Sequence, residues 1–260
     1  MSRAIYWASL TLGFLFLVLP LIIVLPLAFN SSSFLTYPMD GFTMRWFNIV
    51  FHNPPWLGAL MNSLKVALGA TVVAVLIGGL AAMGTILTGR LAQIVLTALF
   101  VSPIVIPSVV LGVALAYAFA RTGLSGGYLS LIMAHSLLGA PLVFLSVMTA
   151  LKGLDPELDR AAASMGASRL YRFRTVILPL ALPGFLTGAL FAFITSFDEV
   201  VVALFLVTPQ SETLPIVLFS SLRDKLQPTI VAVALLLSIV SLLFILVLGM
   251  LQKRSEAAKK

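Results

Sequence analysis

From Trp7 to Phe29 the chain reads WASLTLGFLFLVLPLIIVLPLAF, without one ionisable side chain. About 20 apolar residues in an α-helix cross the roughly 30 Å of hydrocarbon in a bilayer. Arg3 in front of the run would suit a secretory signal, but the apolar core of a signal is only about 7–15 residues long. The run is therefore read as a retained anchor. Five more runs follow: about Ala59 to Ile86, Ala92 to Ala120, Tyr128 to Leu151, Ile177 to Val207 and Thr229 to Leu251. The expected fold class is all-α, a polytopic membrane protein of six transmembrane helices forming a single domain over residues 1–260. Composition agrees, with 60% apolar and 10% charged residues, against about 45–50% and 25% in soluble domains. A soluble enzyme, a DNA-binding domain and a disordered regulator are excluded on that ground. The absence of cysteine removes disulfides, thiolate metal sites and a cysteine nucleophile.

Six spans put both termini on one side. With that side cytoplasmic, eleven of the 16 Lys and Arg residues lie inside and five (Arg45, Lys65, Arg121, Arg223 and Lys225) outside. Excess Lys and Arg marks the cytoplasmic side, so both termini are expected in the cytoplasm of a multi-pass protein. The net charge of +7 is then an orientation signal, and nucleic acid is not expected as a partner. Pro20, Pro26, Pro103, Pro107, Pro141, Pro179 and Pro183 punctuate the spans. Each removes a backbone donor and can kink a helix, which lipid tolerates where neighbours satisfy the freed groups. Gly184-Phe-Leu-Thr-Gly188 places two glycines on one face of the fifth span, where helices can approach closely.

The longest polar stretch on the cytoplasmic side, Lys152 to Pro179, has internal order. Asp155 can cap a helix that begins at Pro156, with Glu157 and Asp159 complementing its dipole. Leu158, Ala161, Ala162 and Met165 then fall at i, i+3, i+4 and i+7, a narrow apolar stripe. Gly166 suits a C-terminal stop, and Ser168 can cap a second helix from Arg169 to Leu178, with Pro179 introducing the next span. A small-residue stripe can dock into another protein's groove. An elbow resting on lipid headgroups is equally consistent with the arginines.

Asp159-Arg-Ala-Ala-Ala-Ser-Met-Gly-Ala-Ser168, followed by Phe173 and Val176-Ile-Leu-Pro179, resembles the "EAA" loop of bacterial ABC-importer permeases. In that family the loop forms the coupling helix that sits in a cleft of the cytoplasmic ATPase. The resemblance implies an ATPase-coupling role for Asp159, Arg160, Ala161, Ala162, Met165, Gly166, Ala167 and Ser168. The family's usual glutamate falls on Arg160 here, with Asp159 next to it. Ser33-Phe-Leu-Thr-Tyr-Pro38, Asn62-Ser63-Leu64, Ser196-Phe-Asp-Glu-Val-Val-Val-Ala-Leu-Phe205 and Thr213-Leu-Pro215 are similar to polyamine-type permeases, in particular the shorter second permease subunit of spermidine/putrescine importers. The implied partners are a second, related permease, two ATPase subunits carrying ATP and Mg, an extracytoplasmic solute-binding protein, and the bilayer of a bacterial inner membrane. No cofactor is expected on this chain. Other permeases of this type take opines, aminophosphonates or amino acids.

Asp198 and Glu199 are the carboxylates that stand within the long apolar runs. Ionisable groups at such depth are costly and face a bundle interior or water. A cation such as putrescine, two ammonium groups on an apolar linker, suits carboxylates flanked by aromatics such as Phe197, and cation–π contact adds about 0.5–2 kcal/mol. Asp198, Glu199 and Phe197 are thus candidates for a translocation path or gate; capping of a helix break is the plainer alternative for the acids. Neighbours on a helix point about 100° apart, so both acids are not expected to face one narrow pore. The same divergence argues against an intramembrane enzyme, whose acid and base must converge on one atom. No Gly-x-x-x-x-Gly-Lys-Ser/Thr loop occurs in the sequence, so ATP must be bound by a partner. A transporter working without ATP would leave the ordered cytoplasmic loop unexplained.

Overall fold

The computed structural model describes residues 3–124, 126–224, 226–240 and 242. It divides into two compact units, residues 1–58 with 217–260, and residues 59–216.

In the first unit, α1 (Arg3–Val24) continues as a 3-10 turn over Leu25–Phe29. Its side chains are exposed almost all round, Leu12, Phe14, Phe16 and Leu17 among them. A helix apolar on every face and this exposed needs lipid or another chain around it. The segment after it turns about Asn30, which is fully buried. The Asn30 side chain donates to the carbonyls of Phe34 and Thr36 and accepts from the N–H groups of Ser32 and Asp40. Its own carbonyl accepts from Trp46 Nε1 at 2.7 Å. Trp46 and Val50 form the buried side of the short amphipathic helix α2 (Arg45–His52).

The second unit is built on two helices, α6 (Tyr128–Lys152) and α9 (Leu178–Phe197), with α3 (Trp56–Ile86) alongside from Ala59 onward. A Cβ added at Gly184 would lie 2.5 Å from Ala150 Cβ and 2.9 Å from the Ser146 carbonyl. One added at Gly188 would lie 2.8 Å from Val143 Cα. The paired glycines of the fifth run therefore bring the α6 and α9 backbones together, as their spacing suggests. Val143, Phe144, Val147 and Ala192 fill one buried cluster at this seam. Val66, Leu131, Ala134, Val202, Ala203 and Leu206 fill a second.

By length and composition, four helices among the described residues can cross a membrane: Ile5–Phe29, Trp56–Ile86, Tyr128–Lys152 and Arg169–Phe197. The third expected span is not one straight helix. α4 (Arg90–Val105) and α5 (Ser108–Thr122) meet at a bend of 99°. Pro107 is the cause, because its ring drives the preceding residue out of the helical region, and Ile106 sits at φ −74°, ψ 128°. Counted as one, the bent pair is a fifth span. The fifth run, expected to continue to Val207, stops being helical at Phe197. Val200 to Val207 are apolar because Val202, Ala203 and Leu206 bury against Val66, Leu131 and Ala134, and that packing produced the run. The sixth run is described only through the apolar helix Pro228–Val240 and at Leu242; its remainder, and Lys225, Lys253, Arg254, Lys259 and Lys260, lie outside the described residues.

Candidate functional site: a helical elbow and an acidic helix end

α7 (Pro156–Ser164) begins as its sequence dictates. The Asp155 carboxylate accepts the Glu157 N–H at 2.9 Å, which satisfies one of the donors left open at a helix start. The helix closes in a Schellman motif: Gly166 N–H donates to Ala163 O at 3.0 Å and Ala167 N–H to Ala162 O at 3.1 Å. Gly166 makes this possible with φ +82°, the left-handed region that side chains avoid. Ser168 then caps α8 (Arg169–Arg172) by accepting the Tyr171 N–H at 3.3 Å.

The second short helix expected to end at Leu178 does not end there. α8 passes through a π turn over Phe173–Ile177 into α9, and Arg169–Phe197 is one helix of 29 residues. Pro179 cannot donate to the carbonyl four residues back, and the wider turn before it accommodates that gap, with the Leu178 N–H bonded to Phe173 O. At 1.5 Å per residue the helix is about 43 Å long, so the elbow and the acidic pair sit at opposite ends of one rod.

The apolar stripe of α7 is split by its packing. Ala162 and Asp159 are half-buried on the side toward α8, whereas Leu158, Ala161 and Met165 are exposed, Met165 at 88%. Met165 is the C-cap rather than part of the helix. Arg160, Gly166 and Ser168 are exposed, and Ala167 is half-buried. Arg160 pairs with Glu157 one turn back at 2.6 Å, both exposed. The sequence reading missed Arg172, whose Nη1 donates to the Asp159 carboxylate at 2.8 Å and to the Asp159 carbonyl at 3.2 Å.

At the other end, Ser196 is buried and bonded through Oγ to His135 Nδ1 of α6 at 2.8 Å. Phe197 is half-buried and stacks on Phe193 with centroids 5.7 Å apart. Asp198 is the C-cap residue of α9 with an exposed side chain. Glu199 is half-buried and accepts the Val202 N–H at 2.8 Å, closing the turn that follows. The structure thus places Phe197, Asp198 and Glu199 together but gives the two acids different surroundings. Beyond them the chain is fastened by residues far away in sequence. Asn62 Nδ2 donates to the carbonyls of Gln210 and Glu212, Tyr128 Oη donates to Asn62 Oδ1 at 2.6 Å, and Ser63 Oγ accepts the Leu214 N–H at 2.8 Å.

Residues 74–257 match the family model described as "Binding-protein-dependent transport system inner membrane component". The chain is 30% identical over 245 residues to the spermidine/putrescine transport system permease protein PotC of Escherichia coli strain K12, covering 94% of this chain and 92% of that one. It is 31% identical over 229 residues to the putative 2-aminoethylphosphonate transport system permease protein PhnV of Salmonella typhimurium strain LT2, covering 85% and 86%. Among solved structures, a chain of a bacterial ABC transporter involved in the import of the acidic polysaccharide alginate superposes with a TM-score of 0.68 over 97% of this chain and 98% of that one, at 16% identity. That likeness concerns the fold.

Proposed function

This chain belongs to the inner-membrane components of binding-protein-dependent transport systems, and on that premise we propose that it is the permease subunit through which a small cationic organic solute, a polyamine such as putrescine or spermidine, crosses the membrane. Membership fixes the coarse function. The chain is a multi-pass inner-membrane permease of an ABC importer; it performs no catalysis and binds no cofactor, and a partner ATPase hydrolyses the ATP. A binding protein delivers the solute. The finer reading is one permease domain of six spans with both termini cytoplasmic, paired with a second, related permease over two ATPase subunits.

The observation that carries this reading is the elbow at α7. A capped helix closed by a left-handed glycine presents Leu158, Ala161 and Met165 to the outside, which is the form an ATPase cleft would take up. Asp159, Arg160, Ala162, Ala167 and Ser168 complete that coupling surface. At the far end of the same rod, Asp198 supplies an unshielded carboxylate beside the Phe193–Phe197 stack, suited to an ammonium group. ATP binding would close the ATPase pair, shift α7 and open the bundle outward to a loaded binding protein; hydrolysis would reset it. The likeness to PhnV supports a second cargo, an aminophosphonate, which also carries an ammonium group.

The test is transport by the complete complex in vesicles, with its binding protein and labelled spermidine, putrescine and 2-aminoethylphosphonate. Asp198→Asn is expected to lower uptake of the cationic cargo while the ATPase still co-purifies. Wild-type uptake by Asp198→Asn removes Asp198 from the path. Uptake of none of the three cargoes overturns the substrate reading.

A further inference from the structure

Two ion pairs hold the elbow, and they differ in what they join. Glu157–Arg160 lies within α7, with both side chains about 70% exposed. It stiffens one helix and connects it to nothing. Arg172 reaches across from α8. Its Nη1 holds both the side chain and the main-chain carbonyl of Asp159, so the α7 backbone itself is gripped. The Arg172 side chain is only 18% exposed against 42% for Asp159, and its Nε is buried with no partner among the described residues. Removing charge from water and leaving one donor unpaired is a poor way to gain stability. What the pair fixes is geometry.

The covalent route between the two helices is held by only the two hydrogen bonds of its Schellman turn. It runs through Met165, Gly166 and Ala167, with a left-handed glycine at its centre. A push on α7 delivered through this link alone would swing α7 about Gly166. With Asp159 clamped on Arg172, the same push acts on the first turn of the helix Arg169–Phe197, whose other end is Phe197 and Asp198. We propose that the Asp159–Arg172 pair is the strut that converts movement of α7 into movement of that rod, and hence of the turn at residues 198–207. Both are positioning residues. The proposal rests on α7 being the helix that docks on the ATPase.

The experiment uses the full complex and a reporter at the far end. The chain has no cysteine, so Leu204→Cys, at an exposed position of the 3-10 turn Ala203–Phe205, gives this subunit one thiol for a membrane-impermeant maleimide. Labelling is measured with and without MgATP in four backgrounds: wild type, Asp159→Arg, Arg172→Asp, and both together. Arg172→Asp is expected to keep its co-purified ATPase and unstimulated labelling rate but to lose roughly five-fold or more of the MgATP-dependent change in labelling, the usual span of a coupling between sites; Asp159→Arg, at a residue of the coupling surface, is compared with the double variant per ATPase bound. The charge-swapped pair is expected to restore most of it. Arg172→Lys, which keeps the charge but not the planar fork, is expected to fall between, and it serves if a single reversal fails to accumulate. Single variants with a wild-type MgATP response overturn the strut, as does a double variant no better than the singles. Loss of the ATPase in Arg172→Asp also overturns it, since Arg172 would then belong to the docking surface. A wild-type complex that carries no ATPase overturns the docking reading beneath it.

Discussion

Gly166 isolates the conformational cost of the elbow from every other cost. Its backbone sits at φ +82°, and a Cβ built there meets nothing within 4 Å. Space is no obstacle, so the effect of a side chain is set by the backbone alone. An L-residue held in the left-handed region costs about 1–2 kcal/mol, with Asn the best tolerated. Escape from that region would break the Gly166–Ala163 and Ala167–Ala162 hydrogen bonds, each worth about 0.5–1.5 kcal/mol net. The two routes cost about the same, so Gly166→Ala is expected to lose about 1–2 kcal/mol, or a factor of roughly 5–30 in the population holding α7 in register with α8. Gly166→Asp adds a negative charge at the C-terminal end of α7, where the helix dipole opposes it by about 0.3–1 kcal/mol. The assay is ATP hydrolysis by the reconstituted complex with and without loaded binding protein. Stimulation is expected to fall in the order glycine, Asn, Ala, while the amount of ATPase bound stays constant. Gly153→Ala is the control, since Gly153 has φ −81° and its added Cβ would make only ordinary contacts at 3.5 and 3.6 Å. Equal stimulation in Gly166→Ala and Gly153→Ala would refute the reasoning.

Three further outcomes follow from contacts in residues 59–216. Gly184→Val should destabilise the complex by about 1–3 kcal/mol, the usual cost of overpacking, because the added Cβ alone would press within 2.9 Å of the Ser146 carbonyl. A thermal midpoint equal to that of Gly84→Ala, where nothing lies within 4 Å, would count against the close approach of α6 and α9. Ser63→Ala removes the acceptor for the buried Leu214 N–H, a loss of about 1–3 kcal/mol, and amide exchange across residues 208–214 should accelerate; unchanged exchange would show the fastening to be idle. Glu199→Gln keeps a side-chain oxygen for the Val202 N–H and should leave uptake near the wild-type level, whereas Glu199→Ala should lower it. Equal loss in both would mean that the charge of Glu199 acts, not its hydrogen bond.

What could be read from the sequence was what a few neighbouring residues decide. The Asp155 and Ser168 caps, Pro156 at the first turn and the stop at Gly166 each involve atoms within five positions of one another, and all form as expected. The glycine pair on α9 was legible for the same reason, since period alone puts Gly184 and Gly188 on one face. The break at Pro107 was half legible: the proline announces a disturbance, but one residue does not give the angle of 99°. The run from Val200 to Val207 misled because burial in a protein core and burial in lipid select the same side chains. Arg172 was visible only as one of several arginines, because its partner Asp159 lies 13 residues away across a turn. Asn62 and Ser63 showed no chemistry until folding brought them to chain about 150 residues downstream.

The same distinction separates two adjacent acids that composition treats alike. Glu199 is committed to the backbone it caps, so its carboxylate is part of the turn. Asp198 takes no side-chain hydrogen bond or ion pair among the described residues and stands exposed at the end of the rod. A charge screened by water and salt acts over about 8 Å and releases what it attracts, which a residue on a transport path must do. Such a carboxylate discriminates by charge class: it favours an ammonium over an anion, yet hardly separates one amine from another. On the proposed function, selection among amines would therefore fall to the binding protein, and a path residue of this kind would act on charge alone.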